Sequence, residues 1–246
     1  MFLAKLNADT QNVNLYNVNK YIPTSFQLIK ELVDFLKELE TEEYKNTRWI
    51  VEEILTVMNT LDLFEIKKNL SYNKQLTTLN SSLLTHKDPY VYFYEDFLAA
   101  YDQKLRKSKG VYYTPPPVVN FIVRAINQIL VDKFNIKVGL ADDKRVTVLD
   151  FATGTGTFLV EILQQIFDTI QNSAKRELIV KEHILKNIYG FEYLIAPYTI
   201  AHLKLSQFLR DNNYKLTDKE RFQVFLTNTL EPIDPQMKIP LLPALT

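Results

Sequence analysis

A short segment rich in glycine and threonine, D-F-A-T-G-T-G-T-F at positions 150–158, follows an apolar run and opens a helical pattern. Glycines at 154 and 156 allow the backbone to turn tightly and to approach a ligand closely, and free N–H groups at a helix start favour anionic groups. An acidic residue, Asp150, stands immediately before the turn. Because a G-x-G pattern alone is weak evidence, a purely structural turn is an alternative to a ligand site.

Three classes of ligand use such a turn, and two of them fit this segment poorly. A nicotinamide site prefers a third glycine three residues after the second, where this chain has Leu159. A phosphate-binding P-loop needs Gly-Lys followed by Ser or Thr, and the sequence has none. The third class is S-adenosylmethionine, which carries a cationic amino acid and no phosphate. The carboxylate of Asp150 suits that ligand, so we interpret the turn as an S-adenosylmethionine site.

Two polar residues follow later apolar runs. Glu192 ends I-Y-G-F-E at 188–192, where a carboxylate can accept both hydroxyl groups of a ribose. Asn228 lies in T-N-T-L at 227–230, where its amide can pair with an adenine edge. The alternatives are a surface carboxylate and a turn asparagine. For Glu192 we expect a small contribution to folding stability, because a carboxylate in an open cleft contributes little packing.

The segment K-G-V-Y-Y-T-P-P at 109–116 precedes the first apolar run. Thr114 is predicted to cap a helix that Pro115 opens, since proline is favoured at the first helical position. A hydroxyl and free N–H groups at a helix start can also hold a carboxylate such as that of methionine.

In their order along the chain, beginning with 109–116, the four segments together resemble the adenine-N6 DNA methyltransferase module of restriction-modification enzymes, in particular the type ISP and type IIG enzymes. The resemblance covers about residues 85–246 and includes A-P-Y-x-x-A-x-L after Glu192. It implies that the Thr-Pro and glycine motifs hold the methionine part of S-adenosylmethionine, that Glu192 takes the ribose, and that Asn228 takes the adenine amino group. The cofactor-binding residues that it implies are Tyr113, Thr114, Asp150, Ala152, Gly154, Gly156, Phe158, Glu192 and Asn228.

The sequence departs from the resembled family at two positions and lacks one motif. Phe151 replaces a usual proline, and Asn228 replaces a common aspartate. The catalytic motif, Asn or Asp followed by Pro-Pro and Tyr or Phe, is absent; D-P-Y at 88–90 lacks the second proline and precedes the other motifs. That motif is needed because an exocyclic amine is a poor nucleophile until hydrogen-bond acceptors polarise it. We therefore assign no catalytic residue and expect an inactive fragment that ends before the fourth strand.

The parent protein implied by the resemblance acts on double-stranded DNA. It would carry the rest of the methyltransferase and a target-recognition region downstream. In the resembled class a motor or nuclease region can precede the helical segment. A rival hypothesis is a non-catalytic S-adenosylmethionine-binding or interaction module of a larger assembly. Continuation of the reading frame into Asn-Pro-Pro-Tyr would favour the enzyme.

The elements that must position these residues are helices first and a sheet afterwards. Apolar residues at helical intervals predict an all-helical unit over residues 24–108, preceded by an irregular Asn-rich arm. Beyond it, strands are predicted at 146–151, 188–192 and 222–226, with helical patterns between them, which implies crossovers and a parallel sheet. We therefore predict an α/β protein. We expect a helical domain over residues 1–108 and the first half of a Rossmann-like sheet over residues 109–246. The family resemblance implies that the helical domain has a coupling role and that the sheet is that of a methyltransferase and binds the cofactor.

Composition excludes several other classes of protein. The 246 residues include 29 basic and 29 acidic side chains, so no basic excess marks a nucleic-acid surface. Without cysteine there is no disulfide, thiolate nucleophile or cysteine-ligated metal, and the scattered His86, His183 and His202 suggest neither a metal site nor a catalytic base. No segment is apolar and long enough to span a membrane, and no signal peptide is visible, so we expect a cytoplasmic protein.

Overall fold

The computed structural model describes residues 4, 5, 8, 11–22, 45–62, 114–217 and 219–230. Of the all-helical unit predicted over residues 24–108, the structure describes residues 45–62, which are helical over Lys45–Asn59. The rest of that unit lies outside the described residues.

Three short strands form one parallel sheet, in the order β1-β2-β3. The strands are β1 (Val148–Asp150), β2 (Ile188–Glu192) and β3 (Gln223–Leu226). In this register Asp150 pairs with Gly190, and Glu192 pairs with Leu226. The carboxyl ends of all three strands therefore lie along one edge of the sheet, which we call the carboxyl edge. The α/β class and the parallel sheet are confirmed, and the predicted bounds of β2 agree with those observed.

Helices occupy both crossovers, and two further helices of the described residues precede the sheet in the chain. They are α1 (Lys45–Asn59), α2 (Pro116–Phe134), α3 (Thr157–Thr169), α4 (Ser173–Ile179), α5 (Leu185–Asn187) and α6 (Ile195–Asp211). A π-helical turn, Val180–Ile184, joins α4 to α5. Helix α2 packs against α3, and α6 packs against α3 and β3. None of the helices in the described ranges is long and apolar enough to cross a membrane.

The main core lies between the sheet and these helices. Leu163, Ile166 and Phe167 of α3 are almost completely buried there, as the apolar spacing of that helix predicts. They pack with α6, whose Phe208 ring lies 5.4 Å from the Phe167 ring, centroid to centroid.

A second core joins the beginning of the chain to α6. Val13 and Val18 of the N-terminal arm are buried with Val51 and Leu55 of α1 and with Leu203 of α6. The prediction of an irregular arm is wrong in part: residues 4, 5 and 8 are helical, and a 3-10 turn follows at Val18–Tyr21. The side chain of Asn59 fixes the arm to α1, accepting from the Val13 N–H at 2.9 Å and donating to the Val13 carbonyl at 2.8 Å.

Candidate cofactor-binding site

The glycine turn after β1 has the backbone that its sequence predicts. Gly154 and Gly156 adopt positive φ angles of +55° and +80°, a region that side chains disfavour. A Cβ atom at Gly154 would meet open space, whereas one at Gly156 would lie 3.0 Å from the Cβ of Ala201. The turn therefore has one open side and one side packed against α6.

Asp150 ends β1 directly below this turn. Its Oδ1 atom accepts from the Ala152 N–H at 3.3 Å, while its buried Oδ2 atom has no hydrogen-bond partner. Burial raises the pKa of the Asp150 carboxyl, the Ala152 N–H opposes that shift, and the negative charge of Glu192 adds to it. The carboxylate thus lacks a counter-charge within the described part of the chain, and a ligand cation would supply one.

Glu192 reaches from the end of β2 to the turn. Its Oε2 atom accepts from the Gly154 N–H at 2.8 Å, and its Oε1 atom accepts from the Leu194 N–H at 2.8 Å. The structure therefore brings Glu192 and Gly154 together, as a shared site requires. The expectation that Glu192 contributes little to folding stays a prediction, although both of its carboxylate oxygens bind backbone donors that would otherwise lose their partners.

Asn228 follows β3 at the same edge. Its Oδ1 atom accepts from the Leu230 N–H at 3.1 Å, which is the geometry of a turn asparagine. This leaves the Nδ2 donors available. The neighbouring Thr229 hydroxyl donates to the Phe151 carbonyl at 3.3 Å, so the loops after β1 and β3 contact each other.

The remaining predicted residues differ in their placement. Ala152 is exposed in the turn, and Phe158 is half-buried at the start of α3, where it packs on the main core. Tyr113 lies outside the described residues. The prediction that Thr114 caps α2 is wrong: α2 begins at Pro116, its N-cap residue is Pro115, and no side chain caps it. Pro115 itself precedes a proline, which favours extended backbone, so the helix starts one residue later than predicted.

Sequence reasoning missed four residues that shape the site. The buried Thr153 donates its N–H to the Phe191 carbonyl at 2.9 Å and its hydroxyl to the Asp150 carbonyl at 3.0 Å. Lys204 of α6, also buried, donates to the Thr157 hydroxyl at 3.1 Å. The other two are Leu194, through its N–H, and Ala201, through its contact with Gly156. For Ala201 the available signal was a small residue within the A-P-Y-x-x-A-x-L segment.

The two described histidines are structural. His202 is buried in α6 beside Tyr198, and burial lowers its pKa to about 4, although a hydrogen bond with the Val224 carbonyl opposes the shift. His183 is completely buried and bonds to the Leu140 carbonyl at 2.8 Å. Within the described ranges no group of His, Asp and Glu side chains could hold a metal ion.

A parallel α/β sheet with a glycine turn and two carboxylates at its carboxyl edge defines a Rossmann-like protein, a class that binds ligands at this edge. A family model described as N-6 DNA Methylase matches residues 85–239, more than half of the chain. The chain therefore belongs to the N-6 DNA methylase family.

One curated relative and several solved structures are also similar to this chain. Over 201 residues, the chain is 27% identical to “Putative type II restriction enzyme and methyltransferase RM.MjaORFECS2P” of Methanocaldococcus jannaschii, a match that covers 65% of the chain and 16% of that protein. The chain thus spans about a sixth of that relative.

Among solved structures, the chain resembles one of a DrdV–DNA complex, with 18% identity, a TM-score of 0.54, and coverage of 92% of this chain and 19% of that one. It also resembles the ATP-dependent type ISP restriction-modification enzyme LlaBIII bound to DNA, with 19% identity, a TM-score of 0.51, and coverage of 95% and 14%. At these identities the likeness shows the shared fold.

Proposed function

We propose that this chain is the S-adenosylmethionine-binding part of a DNA adenine-N6 methyltransferase that belongs to a restriction-modification system. The observation that carries the proposal is the pair of carboxylates around the glycine turn. Glu192 binds the Gly154 N–H, and Asp150 presents a buried oxygen without a partner. Membership of the N-6 DNA methylase family supports DNA as the substrate.

The charges at this edge favour a particular ligand chemistry. Two carboxylates close together repel the phosphates of a dinucleotide or of ATP. They attract an ammonium group and accept hydrogen bonds from hydroxyl groups. S-adenosylmethionine offers both and lacks phosphate, and when bound it supplies an activated methyl group.

Each of the predicted residues would contact a different part of the ligand. The orphaned Oδ2 of Asp150 fits the ammonium group of the methionine part, and the remaining acceptor capacity of Glu192 fits the ribose hydroxyls. The free amide donors of Asn228 fit the adenine edge, although its Oδ1 is engaged by Leu230. Tyr113 and Thr114 remain proposed contacts, on the strength of the family resemblance.

Calorimetric titration of the 246-residue chain tests the proposal with four ligands. We expect S-adenosylmethionine and S-adenosylhomocysteine to bind, and ATP and NADH to fail. Asp150→Asn should weaken binding of S-adenosylmethionine about tenfold or more, because it removes a charge-assisted hydrogen bond. Asp168→Asn, the same chemical change at an exposed position of α3, is the matched control. Binding of NADH or ATP in place of S-adenosylmethionine would contradict the assignment.

Transfer of a tritiated methyl group to DNA separates binding from catalysis. The 246-residue sequence lacks the Asn-Pro-Pro-Tyr-type motif, so we expect no transfer by this chain alone. Robust transfer would show that other residues polarise the target amine.

A further inference from the structure

Glu192 bonds to the loops that follow all three strands. Its side chain accepts from Gly154, in the loop after β1, and from Leu194, in the loop after β2, each at 2.8 Å. Its main-chain carbonyl accepts from the N–H of Thr227, in the loop after β3, also at 2.8 Å. One residue at the end of the central strand therefore joins the whole carboxyl edge.

Packing does not fix the open side of the glycine turn. A Cβ atom at Gly154 would have no neighbour within 4 Å, so side-chain contacts do not hold this residue in place. Thr153 anchors the start of the turn through its N–H bond to Phe191, and Gly156 packs against Ala201. Between these two points, the turn is closed by its own bond from the Gly156 N–H to the Thr153 carbonyl at 2.9 Å. Gly154 itself is tied to the neighbouring strand by the bond from its N–H to Glu192.

We propose that Glu192 is a positioning residue, whose carboxylate holds the glycine turn and the start of α6 in their relative positions before any ligand binds. The inference deepens the proposed function and rests on it only for the identity of the ligand. Both bonds lie within the chain and can be measured without cofactor.

The arrangement also limits what the carboxylate can accept from a ligand. A carboxylate offers about four acceptor positions, two on each oxygen. Each oxygen of Glu192 already uses one of its positions for a backbone N–H. One position remains on each oxygen, which matches two hydroxyl groups of a single ligand. The backbone donors hold these acceptors in a fixed orientation, which lowers the entropy lost on binding.

Amide hydrogen exchange, followed by NMR on the 246-residue chain without ligand, tests the proposal. In Glu192→Ala, exchange at the Gly154 and Leu194 N–H groups should accelerate by about tenfold or more, because each loses a charged acceptor. In Glu192→Gln, which conserves volume, the amide oxygen can keep one of the two bonds, so one N–H should accelerate and the other should not. Glu182→Gln, at an exposed residue paired with Lys186, is the matched control and should change neither.

The Leu163 N–H, at the buried centre of α3, reports on general stability. If Gly154 and Leu194 keep their wild-type exchange rates in both Glu192 variants, the proposal is wrong. If exchange at the Leu163 N–H also accelerates in Glu192→Ala, that variant is destabilised as a whole, and the comparison is made in Glu192→Gln instead. The proposal is wrong if neither the Gly154 N–H nor the Leu194 N–H exchanges faster in Glu192→Gln by a larger factor than the Leu163 N–H does. A chain that shows these changes but binds no S-adenosylmethionine would overturn the proposed function alone.

Discussion

At each of the two edges of the sheet, one side chain joins neighbouring segments through hydrogen bonds. The two edges differ in whether a buried polar atom is left without a partner. The edge opposite the carboxyl edge, where the segments that lead into the strands lie, is called the amino edge. There the ring of His183 binds the Leu140 carbonyl through Nε2 at 2.8 Å and the Asn187 amide through Nδ1 at 3.1 Å. Because a carbonyl can only accept, Nε2 carries the proton and Nδ1 accepts. The segments before β1 and β2 are thereby joined, as Glu192 joins the loops at the carboxyl edge.

The two edges differ in whether a buried polar atom lacks a hydrogen-bond partner. Both ring nitrogens of the fully buried His183 have partners, so nothing is left for a ligand. At the carboxyl edge, Asp150 keeps a buried oxygen without a partner. Buried polar groups are normally satisfied, so the unpartnered oxygen of Asp150 is consistent with the ligand site proposed above.

The largest expected effect is at the amino edge. His183→Ala removes a completely buried ring and leaves the Leu140 carbonyl and the Asn187 amide short of partners. We expect a loss of about 2–4 kcal/mol in the free energy of unfolding, measured by urea denaturation. Lys186→Ala, at an exposed neighbour, should cost less than about 0.5 kcal/mol. A loss below about 1 kcal/mol for His183→Ala would refute the view that the bonds of His183 stabilise the fold at this edge.

A smaller pair of effects distinguishes the two sides of the glycine turn. Gly156→Ala places a methyl group 3.0 Å from the Ala201 Cβ at a positive φ, so we expect a loss of about 2–3 kcal/mol. Gly154→Ala meets open space and bears only the backbone strain, which costs roughly 1 kcal/mol. Thermal unfolding of the two variants side by side measures the contrast. Equal losses would mean that α6 does not restrain the turn.

The smallest expected effect is a gain in folding stability, whereas the preceding variants lose stability. The raised pKa of Asp150 means that its stabilising contribution is present below the unfolded-state pKa and is lost as pH rises through the folded-state value. At pH 7 the buried charge is therefore unfavourable, and Asp150→Asn should raise the Tm by roughly 1–3 °C.

Calorimetry over a range of pH tests this sign. The gain in Tm should shrink as pH falls towards the ordinary range of carboxyl groups, while Asp168→Asn should show no such trend. A lower Tm for Asp150→Asn at neutral pH would mean that the charge has a partner and that the carboxyl edge is satisfied after all.

The sequence predicted local features well and long-range contacts poorly. Periodicity and glycine positions are local, so β2 and the positive φ angles of Gly154 and Gly156 were predictable. The bond between Glu192 and Gly154 joins residues 38 positions apart and depends on strand register, which no local pattern encodes. His183 lies in an ordinary helical stretch, and only the folded chain shows that its ring reaches the Leu140 carbonyl, 43 positions away.

The burial of the N-terminal arm is a second feature that local sequence patterns did not predict. The arm has no helical or strand periodicity, yet Val13 and Val18 are each only 1% exposed. Their burial depends on α1 and on Leu203, and therefore on elements that follow much later in the chain.

The distance along the chain between the arm and Leu203 has a consequence for synthesis on the ribosome. Leu203, which belongs to the same core as the arm, follows Ile22 by about 180 residues, a delay of roughly 10–40 s at ordinary translation rates. During that interval α1 can cover only part of the arm. The nascent chain therefore carries an incompletely covered apolar surface until α6 is made, and the arm reaches its final packing long after it has left the ribosome.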